Sequence, residues 1–242
     1  MHQRKTVFCN ARNSERGCHF SKVSRDVYHL AELRVLGNIA AAILLRYHTM
    51  KIILPQKSYT YPEYIAMVEA LQHDGKVTGH QQSESLLVYS KLNMHRMHRW
   101  EKTFVPSPAL ARKIAAIDKP LHWVVITEGW CGDAAQQLPV IEKLASLNPL
   151  ITTHYVLRDE NPEFMDLFLT NGARSIPVWI CTDEHWNFRW KWGARPRAAQ
   201  DMLNKLKEEA VSLDEQKQQL HGWYAKNKHE ALQLEVAQML DS

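Results

Sequence analysis

The chain has 242 residues, 45% hydrophobic and 23% charged, an ordinary balance for a soluble globular protein of one large domain or one ordinary domain with extensions. The formal charge of +4 is unevenly placed. Residues 1–49 carry eight Lys/Arg against three Asp/Glu, residues 50–242 carry 22 against 23, and no basic stripe marks a nucleic-acid surface. The longest apolar run, "LGNIAAAILL" from Leu36, is ten residues long and 35 residues from the start, which excludes a membrane span and a secretory signal.

Residues 1–49 are basic, polar and largely aperiodic, with a short helical pattern from Asp26 to Tyr47. They read as a leader, disordered or an over-long start, with Met50 opening the natural protein; an Arg-rich, acid-poor stretch of this kind also fits an organelle transit peptide. Residues 50–117 read as a helical extension packed on the core. "YPEYIAMVEALQH" has Pro62 in its first turn and a "DGK" stop, "QQSESLLVYSKLNMHRMHRWEK" continues the helical pattern, and "SPALARKIAAI" starts at a Ser107 cap before Pro108.

The rhythm changes at residue 118, where a domain running to 242 is expected. "LHWVVIT" is a short apolar, β-branched run typical of a buried strand. The helical "AAQQLPVIEKLASL" follows, then a second strand, "ITTHYVLRD". "NPEFMDLFLTNG" predicts a short helix with Asn161 as its cap, and "IPVWICT" a third strand. "WNFRWKW" alternates, with Trp186, Phe188, Trp190 and Trp192 on one face of a half-buried antiparallel strand. A long helix is expected from Pro196 towards Leu220, and a final amphipathic helix after "HGWY". The order β-α-β-α-β-β-α, with helices before and after, predicts a compact α/β sheet.

The four cysteines, Cys9, Cys18, Cys131 and Cys181, have no CxxC spacing and are too sparse for a disulfide scaffold, so a reducing cytoplasm is the expected setting. Cys181, inside "VWICT", reads as core. His95 and His98 share a helical face but lack partners for zinc, "CNARNSERGCH" fits no metal knuckle, and "DGKVTG" lacks the phosphate-loop order. No metal site and no cofactor are expected. The basic face with Arg96 and Arg99 reads as solvated.

Trp130-Cys131-Gly132 stands at the strand-to-helix junction. Pro139 lies eight residues after the cysteine, Ile176-Pro177 follows further on, and Gly193-Ala194 closes the aromatic strand. In these features residues 118–215 resemble the thioredoxin family, in a bacterial branch with a single active-site cysteine and the wording "WCGDA". The resemblance implies a thioredoxin-like fold, a central mixed sheet with flanking helices, here with an N-terminal helical extension and a C-terminal helix. It implies a cis proline at Pro177 that presents the Ile176 backbone to an extended peptide. Trp130 lines the substrate groove, with Gly132 and Asp133 beside it, and Cys131 is the nucleophile. Two positions depart from the family: the second motif cysteine is Ala134, and the buried acid six residues before Cys131 is Val125.

A cysteine in the first turn of a helix faces free N–H groups that stabilise a thiolate, while Asp133 opposes this by like-charge repulsion. Cys131 is therefore expected to be exposed and moderately activated, with Arg174 as a candidate neighbouring cation. Without a second sulfur the exchange is monothiol: its partners are protein or small-molecule disulfides, and an external low-molecular-weight thiol resolves the intermediate. The alternative is a non-catalytic binding module or adaptor that holds a peptide or partner in the Cys131/Pro177 groove.

Overall fold

The computed structural model describes residues 50–241; the leader expected at 1–49 lies outside the described residues. Three helices come first: α1 (Tyr61–His73), α2 (Glu84–Thr103) and α3 (Pro108–Ala115). Each starts where a hydroxyl side chain meets a free amide: Thr60 with Glu63 forms a reciprocal capping box, Ser83 accepts from Leu86 N–H, and Ser107 from Leu110 N–H.

β1 (Leu121–Thr127) leads into α4 (Gly132–Ala145), and β2 (Ile151–Leu157) into the short α5 (Pro162–Asp166). β3 (Val178–Asp183) and β4 (Phe188–Gly193) form a hairpin, followed by α6 (Arg197–Glu208), α7 (Leu213–Asn227) and α8 (Glu230–Met239). The sheet order is β2-β1-β3-β4, with β1 parallel to β2 and antiparallel to β3, and β3 antiparallel to β4. This is the mixed sheet with flanking helices of a thioredoxin-like fold. Among the described residues no helix is long and apolar enough to cross a membrane.

Alternation along the strands divides the core. On one face Thr153 and Tyr155 both reach the Glu142 carboxylate of α4, at 2.9 and 3.0 Å, and Trp192 donates to Glu235 of α8 at 2.6 Å. Trp123 and Trp179, both fully buried, meet edge-to-face there at 4.7 Å. On the other face Lys191 reaches the carbonyls of Phe168 and Leu169 behind α5. Fully burying a large apolar side chain contributes about 1.5–3 kcal/mol, so these indoles and the surrounding aliphatic residues anchor the sheet. A separate small core of Ala199, Leu203, Leu206, Leu220 and Tyr224 joins α6 to α7.

Four local expectations are corrected. The long helix from Pro196 is two helices, because Ala210 turns left-handed (φ 53°) and Ser212 starts α7 by accepting from Glu215 N–H. "HGWY" lies inside α7, and left-handed Lys228 and His229 separate it from α8. Trp186 leaves the aromatic strand: at φ 65° it sits in the turn and stacks flat on His122, with centroids 4.0 Å apart. Asn161 precedes α5 without capping it, its amide turning back to Leu157 O at 2.8 Å.

Candidate active site

β1 ends in a turn of Glu128, Gly129 and Trp130 that delivers Cys131 to the start of α4. Cys131 N–H closes the turn on Glu128 O at 3.1 Å. The preceding helices brace this turn. Gly129 N–H donates to Thr78 Oγ1 at 2.9 Å, Asn93 Nδ2 donates to Gly129 O at 3.1 Å, and a Cβ at Gly129 would stand 3.2 Å from both Val68 methyls. Trp130 Nε1 donates to Thr78 O at 3.2 Å, with the Arg158 guanidinium 4.8 Å over its ring. Residues 50–117 therefore form the back wall of the turn that carries the cysteine.

Cys131 is itself the cap of α4, its Sγ accepting from Ala134 N–H at 3.5 Å. The same sulfur donates to Ile176 O at 3.4 Å, beside the cis Ile176–Pro177 peptide bond. Cys131, Ile176 and Pro177 thus come together, with Trp130, Gly132 and Asp133 flanking the cysteine. Pro139 lies inside α4, and Gly193–Ala194 is also cis. A Cβ at Gly193 (φ 135°) would lie 2.2 Å from Pro177 O, so the glycine lets β4 close against the proline loop.

The thiol's state corrects the expectation of an exposed, activated group. Cys131 is only 8% exposed and Ile176 5%, and Pro177 is buried. Burial pushes the thiol up to about 12; the Asp133 charge adds to this, and the Ala134 and Asp133 amides and Arg195 only partly oppose it. The helix-start amides are in place, but desolvation outweighs them.

Asp133 faces inward. Arg195 donates to its Oδ2 from Nη2 at 2.6 Å and from Nε at 3.1 Å, and Tyr224 Oη donates to Oδ1 at 2.5 Å. Gln137 Nε2 ties Tyr224 Oη to Ala194 O, at 2.8 and 3.1 Å. Both carboxylate oxygens are occupied, and Asp133 pins α4 to α7. His221 completes this covering of the site. Its ring lies where a Cβ on Gly132 would meet it at 2.9 Å, and burial pushes its imidazole down to about 4.

Val125 is apolar, and the buried acid of this turn is Glu128, three residues before Cys131. Its carboxyl is fully shielded, one oxygen accepting from Asp159 N–H at 2.9 Å, and burial pushes it up to about 7. The Arg174 expectation is also corrected: that side chain is exposed and forked onto Asp166 at 2.6 and 2.7 Å, and Arg158 supplies the cation above Trp130. On α2, His98 lies between Glu69 and Glu101, while Arg96 turns in towards Gly132 and His221. Only the position of Arg195, just past Gly193-Ala194, offered a signal for this covering; His221 and Tyr224 lie in a helix whose spacing marks them as ordinary.

A family model described as Thioredoxin matches residues 79–232, more than half of the chain. The chain belongs to the thioredoxin family. The match takes in α2 to α7, so this thioredoxin-family chain contains the covering helices as well as the sheet. Two solved structures are similar to it. A protein of unknown function from Pseudomonas aeruginosa has a TM-score of 0.47 at 19% identity, covering 76% of this chain and 98% of its own. An HIV epitope scaffold has a TM-score of 0.45 at 18% identity, with the same coverage. No curated protein matches the chain.

Proposed function

We propose that the protein carries out monothiol thiol–disulfide exchange through Cys131. The observation that supports this reading is the seating of Cys131 Sγ between the Ala134 amide and the Ile176 carbonyl of the cis-proline loop. In the exchange, the Cys131 thiolate attacks one sulfur of a disulfide R–S–S–R′, forming Cys131–S–S–R′ and releasing R–S⁻, which takes up the proton lost from Cys131. An external thiolate R″–S⁻ then attacks R′ sulfur, forms R″–S–S–R′ and restores the Cys131 thiolate. Ala134 provides no internal sulfur, so the second step is intermolecular. Substrate contact falls to Ile176, Pro177, Gly132 and the half-exposed Trp130.

One observation favours the second reading, a binding module of the thioredoxin family that does not turn over. A thiol titrating near 12 is about one part in 10⁵ thiolate at neutral pH, so the covered form is inert. Exchange therefore requires Cys131 to be less buried than it is in this form.

The test pairs pH-dependent alkylation of Cys131 with turnover of a mixed-disulfide substrate, in the wild type and in Cys131→Ser. Cys131-dependent turnover supports exchange. Absence of turnover, together with alkylation only at strongly alkaline pH, leaves the binding module. Dithiol reductase activity gained by Ala134→Cys would show that only the resolving step is missing.

A further inference from the structure

At the end of the sheet away from Cys131, two histidines on neighbouring strands meet. In the β1–β2 register His122 pairs with Thr152 and Val124 with His154, so both histidines leave the same face. His122 Nδ1 and His154 Nε2 stand 3.2 Å apart, and among the described residues neither imidazole has another hydrogen-bond partner. Trp186, left-handed at φ 65°, lies flat on His122 with 4.0 Å between centroids and 5° between planes. This stack fixes the plane of the ring and covers its face, not its edge. All three side chains are half-buried. Burial pushes the His154 imidazole down to about 4, with His122 adding to this, and burial also lowers His122 against the opposing Asp183 charge. Both rings are thus neutral at neutral pH, the form that ligates metals.

We propose that His122 and His154 form a two-imidazole site for a divalent transition ion of the Ni²⁺, Cu²⁺ and Zn²⁺ group, with water completing the coordination. Imidazole nitrogens suit these ions. An ion 2.0–2.1 Å from two nitrogens that are 3.2 Å apart sees them at about 100–105°, between the square and the tetrahedral angle. The neutral pair holds two protons, one of them shared between the facing nitrogens. Moving that proton to the outer nitrogen of its own ring frees both facing lone pairs, so binding releases no proton. Asp183 does not join, because its carboxylate accepts from His185 N–H and Asn187 N–H at 2.9 Å and from Asn187 Nδ2 at 2.8 Å. The site is independent of the exchange reading. No motif marks it, since its ligands are 32 residues apart and meet only through strand pairing.

The probe is Zn²⁺, titrated by calorimetry into the full chain with accessible thiols capped. The wild type is compared with His122→Gln, His154→Gln and, as a control, His95→Gln, whose side chain is exposed. Wild type and control should bind a Zn²⁺ that each of the other two variants loses or holds about tenfold or more weakly. Ions held elsewhere on the chain are common to all four proteins and cancel in the comparison. In the wild type Zn²⁺ should also shift the imidazole nitrogen NMR signals of His122 Nδ1 and His154 Nε2, a readout that does not depend on the variants folding. Equal binding by all four proteins means adventitious ions only and overturns the proposal. Loss in only one of the two variants, or unmoved His122 and His154 signals, overturns it as well.

Discussion

Replacing Glu128 by glutamine isolates one buried proton. The carboxyl is fully shielded at the end of β1 and held near 7, against 4.5 for an exposed glutamate, with burial as the main cause. The folded value is the higher one, so the folded state binds the proton more tightly. The stabilisation from that proton is fully present below about pH 4.5 and is lost as pH rises through about 7. The difference between the two values corresponds to about 3 kcal/mol. Glu128→Gln keeps an acceptor for Asp159 N–H and removes the titration. Urea unfolding of both proteins from about pH 4 to about pH 8.5 reads the effect, because other titrating groups cancel in the difference. E128Q should match the wild type within about 1 kcal/mol at the acid end and exceed it by about 2–3 kcal/mol at the alkaline end. Parallel stability curves would refute a buried neutral carboxyl. A variant that falls behind the wild type as pH rises would mean that the site stabilises the anion.

Tyr224→Phe removes a charge-assisted hydrogen bond to buried Asp133 and one acceptor of Gln137, and should destabilise the fold by about 2 kcal/mol, read as a Tm lower by about 5 °C. Gly193→Ala drives a Cβ to 2.2 Å from Pro177 O at φ 135°, both against backbone, and should cost about 4 kcal/mol or more, seen as loss of soluble, cooperatively melting protein. His221→Ala takes the imidazole off Gly132 and should raise the rate of Cys131 alkylation at mildly alkaline pH by about tenfold, with Cys131→Ser as the blank; an unchanged rate would place the shielding elsewhere.

The fold was legible wherever one short stretch carries its own instruction. β1 reads as a strand because Leu121, Trp123, Val125 and their neighbours are apolar on both faces, and α3 starts at Ser107 because its hydroxyl caps a free amide. The break between α6 and α7 was missed: the helical spacing is continuous across it, and the Ser212–Glu215 cap that decides it is a short polar signal inside a polar helix. The position of Cys131 was legible too, at a strand end eight residues before Pro139. Its protonation was not. The helix-start amides lie within three residues of the sulfur, whereas its other neighbours stand on remote segments: Ile176, whose carbonyl accepts from it, Arg195, whose charge favours the thiolate, and Tyr224, held to Asp133 across 91 residues.

Sequence alone determined the order of the strands and of the helices before α6, the placing of Cys131 at a helix start, and the absence of a second sulfur at Ala134, because each is a property of neighbouring residues. Only the tertiary structure decided that Cys131 is a covered, neutral thiol, that Glu128 is a buried acid near 7, and that Asp133 ties α4 to Arg195 and Tyr224. Titration and access depend on solvent and on charges close in space, and the fold brings those together from α2, the proline loop and α7, far apart along the chain.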